Sequence, residues 1–165
     1  MRKVNLQFFA ETTMAAKDAV SGQLAKCYVT IEGKRYLLMQ AKKFEAKFKK
    51  NKKGIKILGK TGEGHKATGW SGNGSMTIYH NTEIFNDLFE RYKNTGEDIY
   101  FDIQVTNEDP TSAAGRNTKI YKGCNLDEGS LQKFDADGDW LEQDVSFTFE
   151  DYEGPEKFKQ LEGMQ

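Results

Sequence analysis

Residues 64–71, GHKATGWS, carry the G-x-x-x-x-G spacing of a phosphate-binding loop and follow the strand-like IKIL at 55–58. Such a loop needs a lysine after its last glycine to meet the β- and γ-phosphates, and Trp70 stands there instead. A helix should follow, but SGNGSMTIYH alternates like a strand. Nucleotide binding is set aside, and a flexible glycine-rich loop is expected. Asp135, Asp137 and Asp139 open like a calcium loop, but Gly138 precedes the third acid, and the position of the bidentate glutamate is Ser146. A polar turn is expected. His65 falls in the glycine-rich segment. His80 ends a strand on the face of Met76 and Ile78, where a hydrogen-bonded structural histidine is expected. Neither has a neighbouring Cys or Ser that would make a nucleophile–base pair. Cys27 and Cys124 lie in separate strand-like runs, match no metal spacing and are expected as reduced, buried thiols. With no catalytic constellation, the chain is expected to be no enzyme and to need no metal, cofactor or small-molecule ligand.

The run KKFEAKFKKNKK interleaves aromatic rings with lysines, as single-stranded nucleic acid would favour. Two facts weaken that reading: the net charge is only −1, and the run lacks arginine, the better base reader. The charge is unevenly spread. Residues 42–60 hold nine lysines against Glu45 alone, and residues 135–156 hold nine acids with no Lys or Arg. These are either two solvated faces or complementary surfaces on neighbouring copies, where opposite charge steers approach and fixes register. Hydrophobic residues make up 37% and charged residues 30%, a balance suggesting that part of the chain orders only against other copies. The opening MRKVNLQFFAE is too short and polar for a signal peptide, and no run approaches the ~18 apolar residues of a membrane span.

The elements that must carry these residues read as follows. Residues 1–22 lack sustained periodicity and form an N-terminal arm; 23–152 form one domain; 153–165 form a polar tail. Cys27, Val29 and Ile31 alternate with polar neighbours, as in a half-buried strand, and Glu32-Gly33 turns into RYLLMQ. Phe44, Ala46 and Phe48 alternate with Lys43, Glu45, Lys47 and Lys49 in a long extended run. Residues 50–74, with seven glycines, read as a long loop in which only 55–58 is strand-like. The apolar residues Ile84, Phe85, Leu88, Phe89 and Tyr92 make one helical stripe, started by Asn81 or Thr82, steadied by an Asp87–Arg91 pair and ended at Thr95-Gly96. Strands resume at 99–105, then as two shorter strands between 118 and 134, and again at 145–149. Six to eight mostly antiparallel strands with one helix predict a mainly β sandwich or barrel.

Four segments, in this order, resemble the tail tube (tail core) proteins of PBSX-like contractile phage tails and R-type bacteriocin particles. They are FEAKFKKNKKGIKILGK (44–60), GHKATGWSGNGSMTIY (64–79), the helix with GEDIYFDIQ (96–104), and LEQDVSFTFEDYEGPE (141–156). The resemblance covers roughly residues 20–156 and extends in fold to type VI secretion tube proteins. It implies an antiparallel β-barrel-like subunit with one flanking helix and a long extended loop or hairpin. Six such subunits would close a ring, and rings would stack into a hollow tube. The partners implied are a sheath, baseplate, tape-measure and tail-terminator proteins, with DNA in the lumen of a complete phage. The implied location is a virion or tail-like particle, and the host cytoplasm during assembly. Under this reading Phe44, Phe48, Lys49, Lys50, Lys52, Lys53, Lys56, Lys60, His65, Lys66 and Trp70 form a ring-stacking surface. Asp135, Asp137, Asp139, Glu142, Asp144, Glu150 and Asp151 form its acidic complement. A type VI-like tube and a small nucleic-acid-binding module are the alternatives.

Overall fold

In β1 (Lys26–Ile31) the alternation buries Cys27, Val29 and Ile31 on one face. Glu32 and Gly33 both adopt positive φ (49° and 79°), the turn geometry whose twist matches a two-residue hairpin, and lead into β2 (Lys34–Leu37). The computed structural model describes residues 13–164. On the other side β1 pairs with β5 (Phe101–Glu108), and β5 with β6 (Arg116–Gly129).

β6 is one strand, not the two short ones its pattern suggests. At Gly123 (φ 61°) it opposes β5 with an extra residue, and the Gly123 N–H donates to Asp102 Oδ1 at 3.1 Å. This bulge bends the strand without breaking it, so the alternation loses phase midway. β7 (Glu142–Phe149) and β8 (Asp151–Glu156) run in succession along β6, the first on residues 125–129 and the second on 118–122, with Glu150 N donating to Lys122 O between them. One leaf is thus β2-β1-β5-β6-β8 and the other β6-β7-β4-β3, with β6 common to both. The chain is mainly antiparallel β.

Between the leaves lie Val29, Ile78, Ile103, Cys124, Val145 and Phe147, all essentially without solvent contact. The helix α1 (Ile84–Thr95) closes the core with Phe85, whose ring centroid is 6.3 Å from that of Phe101. Thr82 Oγ1 accepts from Ile84 N, and Gly96 (φ 72°) ends the helix by donating to Tyr92 O. The expected Asp87–Arg91 pair does not form. Past Gly96 the chain folds Glu97 back under Arg91, which makes a forked contact with it at 3.0 Å and reaches Glu32 of the β1–β2 turn at 3.0 Å. Two carboxylates brought by a turn and by tertiary packing outcompete one on the helix face.

Residues 50–74 are not a loop. β3 (Ala41–Lys56) and β4 (Glu63–Tyr79) pair from Ala41–Ile78 to Lys56–Glu63, and only 57–62 turn. Two of the glycines in the strand serve close contact. A Cβ on Gly72 would lie 2.3 Å from the Phe149 ring, and one on Gly74 would lie 2.4 Å from the Phe147 ring. Gly69 (φ 151°) stands beside a bulge at Thr68. Of the expected arm, residues 1–12 lie outside the described residues. Residues 18–21 are tied to the β5–β6 loop: Ser112 Oγ donates to Asp18 O, and Ser21 N donates to Asp109 Oδ2 at 3.0 Å. Hydrogen bonds from Thr111 and Ser21 hold the Asp109 carboxyl below its ordinary range.

Candidate assembly surfaces

β7 reaches β4 only over residues 72–79, so the β3–β4 ribbon beyond Gly72 has no third strand. From Lys49 to Lys56 this stem projects about 25 Å at ~3.3 Å per residue. The register distributes the expected stacking residues over its two faces. Lys50 and Lys52 share the Trp70 and His65 side, and Lys53 faces Lys66 with Lys49 on the other. Among the described residues, Lys49, Lys50, Lys52, Lys53, Lys56, Lys60 and Lys66 have no salt-bridge partner. Phe48 and Trp70 stack at 4.8 Å, and both meet Tyr152 edge-on; Phe44 lies 5.8 Å from Phe147. These rings root the stem in the body of the subunit.

The acidic residues divide into two groups. Asp135, Asp137 and Asp139 lie in the β6–β7 loop, residues 130–141, with Asp137 N donating to Asp135 Oδ1. Glu142 is bonded to Lys42 of its own chain, and Asp144 accepts from Thr77 Oγ1 at 2.7 Å. Glu150 and Asp151 stand at the opposite end of β7, where Phe149 is level with Gly72. Because β4 and β7 are antiparallel, the acidic loop lies beside Tyr79 and the hairpin turn lies about 55 Å of strand away. Basic and acidic ends therefore face opposite ways along one axis.

A polar network fixes the root of the loop. Gln143, wholly buried, donates through Nε2 to Asn86 Oδ1 and Ser130 O, while Asn86 Nδ2 donates to Leu131 O and Glu83 Oε2. His80 departs from expectation. Its backbone N–H donates to Leu141 O, but its Nε2 has no hydrogen-bond partner among the described residues, with Glu83 at 3.4 Å.

What sequence reasoning missed is apolar. Ile55, Ile57 and Leu58 are exposed at the hairpin end, and Leu131, Phe134, Trp140 and Leu141 at the loop end. Large apolar residues flanking turn signals were the available clue. The outward face of the β6-β7-β4-β3 leaf carries Lys43, Glu45, Lys47, Ser71, Asn73, Ser75, Thr77, Asp144, Ser146 and Thr148, all polar. Its two edges, the outer side of β3 and residues 125–129 of β6, pair with no further strand among the described residues.

Residues 12–156 match the family described as phage tail tube protein. The chain belongs to the phage tail tube protein family. It is 34% identical over 144 residues to the phage-like element PBSX protein XkdM of Bacillus subtilis (strain 168), covering 87% of this chain and 95% of that protein. A second relative from the same strain, the uncharacterized protein YqbM, is 33% identical over 146 residues, covering 88% and 97%. The fold is that of a chain in the 6-fold symmetrised baseplate of the anti-feeding prophage (TM-score 0.60, 8% identity, 79% of this chain and 91% of that one). It is shared with the SPP1 tail tube (TM-score 0.58, 11% identity, 86% and 80%) and with a chain of the PVC sheath-tube complex (TM-score 0.56, 11% identity, 93% and 98%). This tail tube protein is a structural subunit of a virion or tail particle.

Its two thiols are inert by position. Burial raises both Cys27 and Cys124 to about 12, so almost no thiolate exists near neutrality. We expect a maleimide or disulfide reagent at pH 8 to leave both unlabelled in the folded tail tube protein and to label both after denaturation. Rapid native labelling would show that the leaves open.

Proposed function

We propose that six copies of this subunit close into a ring, and that rings stack head to tail into a hollow tube within a contractile sheath. The observation that carries the reading is a leaf of four antiparallel strands with two open edges and a projecting basic stem. With four strands alternating in direction, β3 of one copy runs antiparallel to β6 of the next. Edge pairing can then continue around a ring without a parallel junction, and it removes both exposed edges of this leaf. The outward polar face of the leaf would line the lumen, presenting hydroxyl and amide side chains with the charges of Lys43, Glu45, Lys47 and Asp144 among them. Six follows the resemblance and the 6-fold symmetry of the anti-feeding prophage baseplate. An interface that repeats along the axis instead of closing gives a filament.

The tube acts without catalysis, cofactor or metal. Its partners are the sheath, baseplate, tape-measure and terminator proteins, in keeping with neighbours from a baseplate, a sheath-tube complex and a tube-terminating cap. It conducts DNA in a complete phage or breaches the target envelope in a headless particle, after assembly in the host cytoplasm. Negative-stain electron microscopy of the purified protein over a concentration series, with and without baseplate proteins, tests this reading. Hollow six-fold rings and stacked tubes are expected. A protein that stays monomeric at high concentration even with a baseplate template would overturn it.

A further inference from the structure

We propose that stacked copies hold one another through an apolar contact. Ile57 and Leu58 at one copy's β3–β4 turn seat among Phe134, Trp140 and Leu141 of the next copy's β6–β7 loop, inside a frame of lysines and aspartates. This inference rests on the head-to-tail reading above.

Scattered exposed apolar residues are ordinary on a protein surface, but here they are concentrated at two places. Leu58 is 102% exposed, Phe134 85% and Trp140 69%. Each cluster is set in charge mainly of one sign: Lys52, Lys53, Lys56 and Lys60 around the turn, against Glu63, and Asp135, Asp137 and Asp139 within the loop, against Lys133. The two clusters complement each other in both respects. Within one chain they stand at opposite ends of β4, so the match cannot be satisfied internally. A second copy of the same chain is the occupant that offers the missing half to both ends at once, and the contact then repeats indefinitely.

The division of labour follows from the environment. Ion pairs between exposed side chains in water contribute little and are screened by salt, so the charges orient the approach. Withdrawal of an indole and an isobutyl group from water supplies the hold, as buried aromatic anchors do at other interfaces. The loop presents these residues from a fixed root, because Asn86 and Gln143 grip the carbonyls of Leu131 and Ser130.

Two single variants and one mixture test the contact in full-length protein: Leu58→Asp, Trp140→Ala, and Leu58→Cys copies mixed with Trp140→Cys copies. Leu58 and Trp140 lie outside the core, so melting temperatures should match the wild type. We expect Leu58→Asp and Trp140→Ala to form rings at the wild-type concentration and to need at least tenfold more protein to form tubes. The cysteine mixture should give a cross-linked dimer under tube-forming conditions only. Wild-type tubes alongside unchanged Leu58→Asp tubes, or tubes in which the two cysteines never cross-link, would overturn the contact and leave the ring reading intact. Wild-type protein that forms neither rings nor tubes, with or without baseplate proteins, would overturn both.

Discussion

Phe147→Ala is expected to lower subunit stability by about 3–5 kcal/mol, the range for emptying an aromatic site in a packed interior. That is a large share of the ~5–15 kcal/mol that holds a domain folded. Phe147 has no solvent exposure, packs against Phe44, and lies over Gly74 with no room to spare. Gly74→Ala attacks the same site from the other side. Its methyl would fall 2.4 Å from the ring and 2.8 Å from the Glu45 carbonyl oxygen, and that backbone neighbour cannot step aside. Overpacking of this kind costs about 1–3 kcal/mol. Because the two residues share one space, their effects should not add. Phe147→Leu combined with Gly74→Ala should be less damaging than the sum of the single changes. Urea denaturation of the four proteins measures this, and strict additivity would show that the glycine is not there for the ring.

Reversing the stem charge, with Lys49, Lys50, Lys52, Lys53 and Lys56 all changed to Glu, is expected to abolish tube growth while leaving the fold intact. All five are exposed and make no salt bridge among the described residues. The reversed stem would meet Asp135, Asp137 and Asp139 of the next copy as like charge, and like-charge juxtaposition across an interface costs several kcal/mol. The variant keeps its own acidic loop, so it can still join a wild-type end and then offer the wrong surface to the next arrival. Mixed with wild type, it should therefore shorten tubes at substoichiometric levels. Tube lengths measured by electron microscopy across mixing ratios decide the matter; lengths that do not respond would show that the stem takes no part in stacking.

Much of this fold was legible beforehand. Period-two alternation located β1, β5 and β7, and the helical stripe located α1 with its glycine stop. The stem was harder. Glycine is a poor strand former in isolation, so Gly69, Gly72 and Gly74 read as loop. At Gly72 and Gly74 the Phe149 and Phe147 rings, some seventy residues further on, make glycine the right strand residue, and at Gly69 the positive φ beside the bulge does so. Arg91 failed for a related reason, since Glu32 and Glu97 reach it through tertiary folding and not through helix periodicity. The charge asymmetry of the candidate surfaces was visible in composition. Their placement at opposite ends was not, because it depends on β7 lying antiparallel to β4 in a defined register.

The bend at Gly123 has a mechanical consequence. β6 and the β7–β8 segment each pass from one leaf to the other as unbroken backbone, joined across the corner by Glu150 N–H to Lys122 O. An axial push on the stem enters β4, crosses by its hydrogen-bond ladder to β7, and continues into the second leaf along covalent bonds. The load path never depends on side-chain packing between the leaves, which could shear. A subunit wired in this way behaves as a single stiff strut, and a column of such struts can carry compression from one end to the other without its walls delaminating.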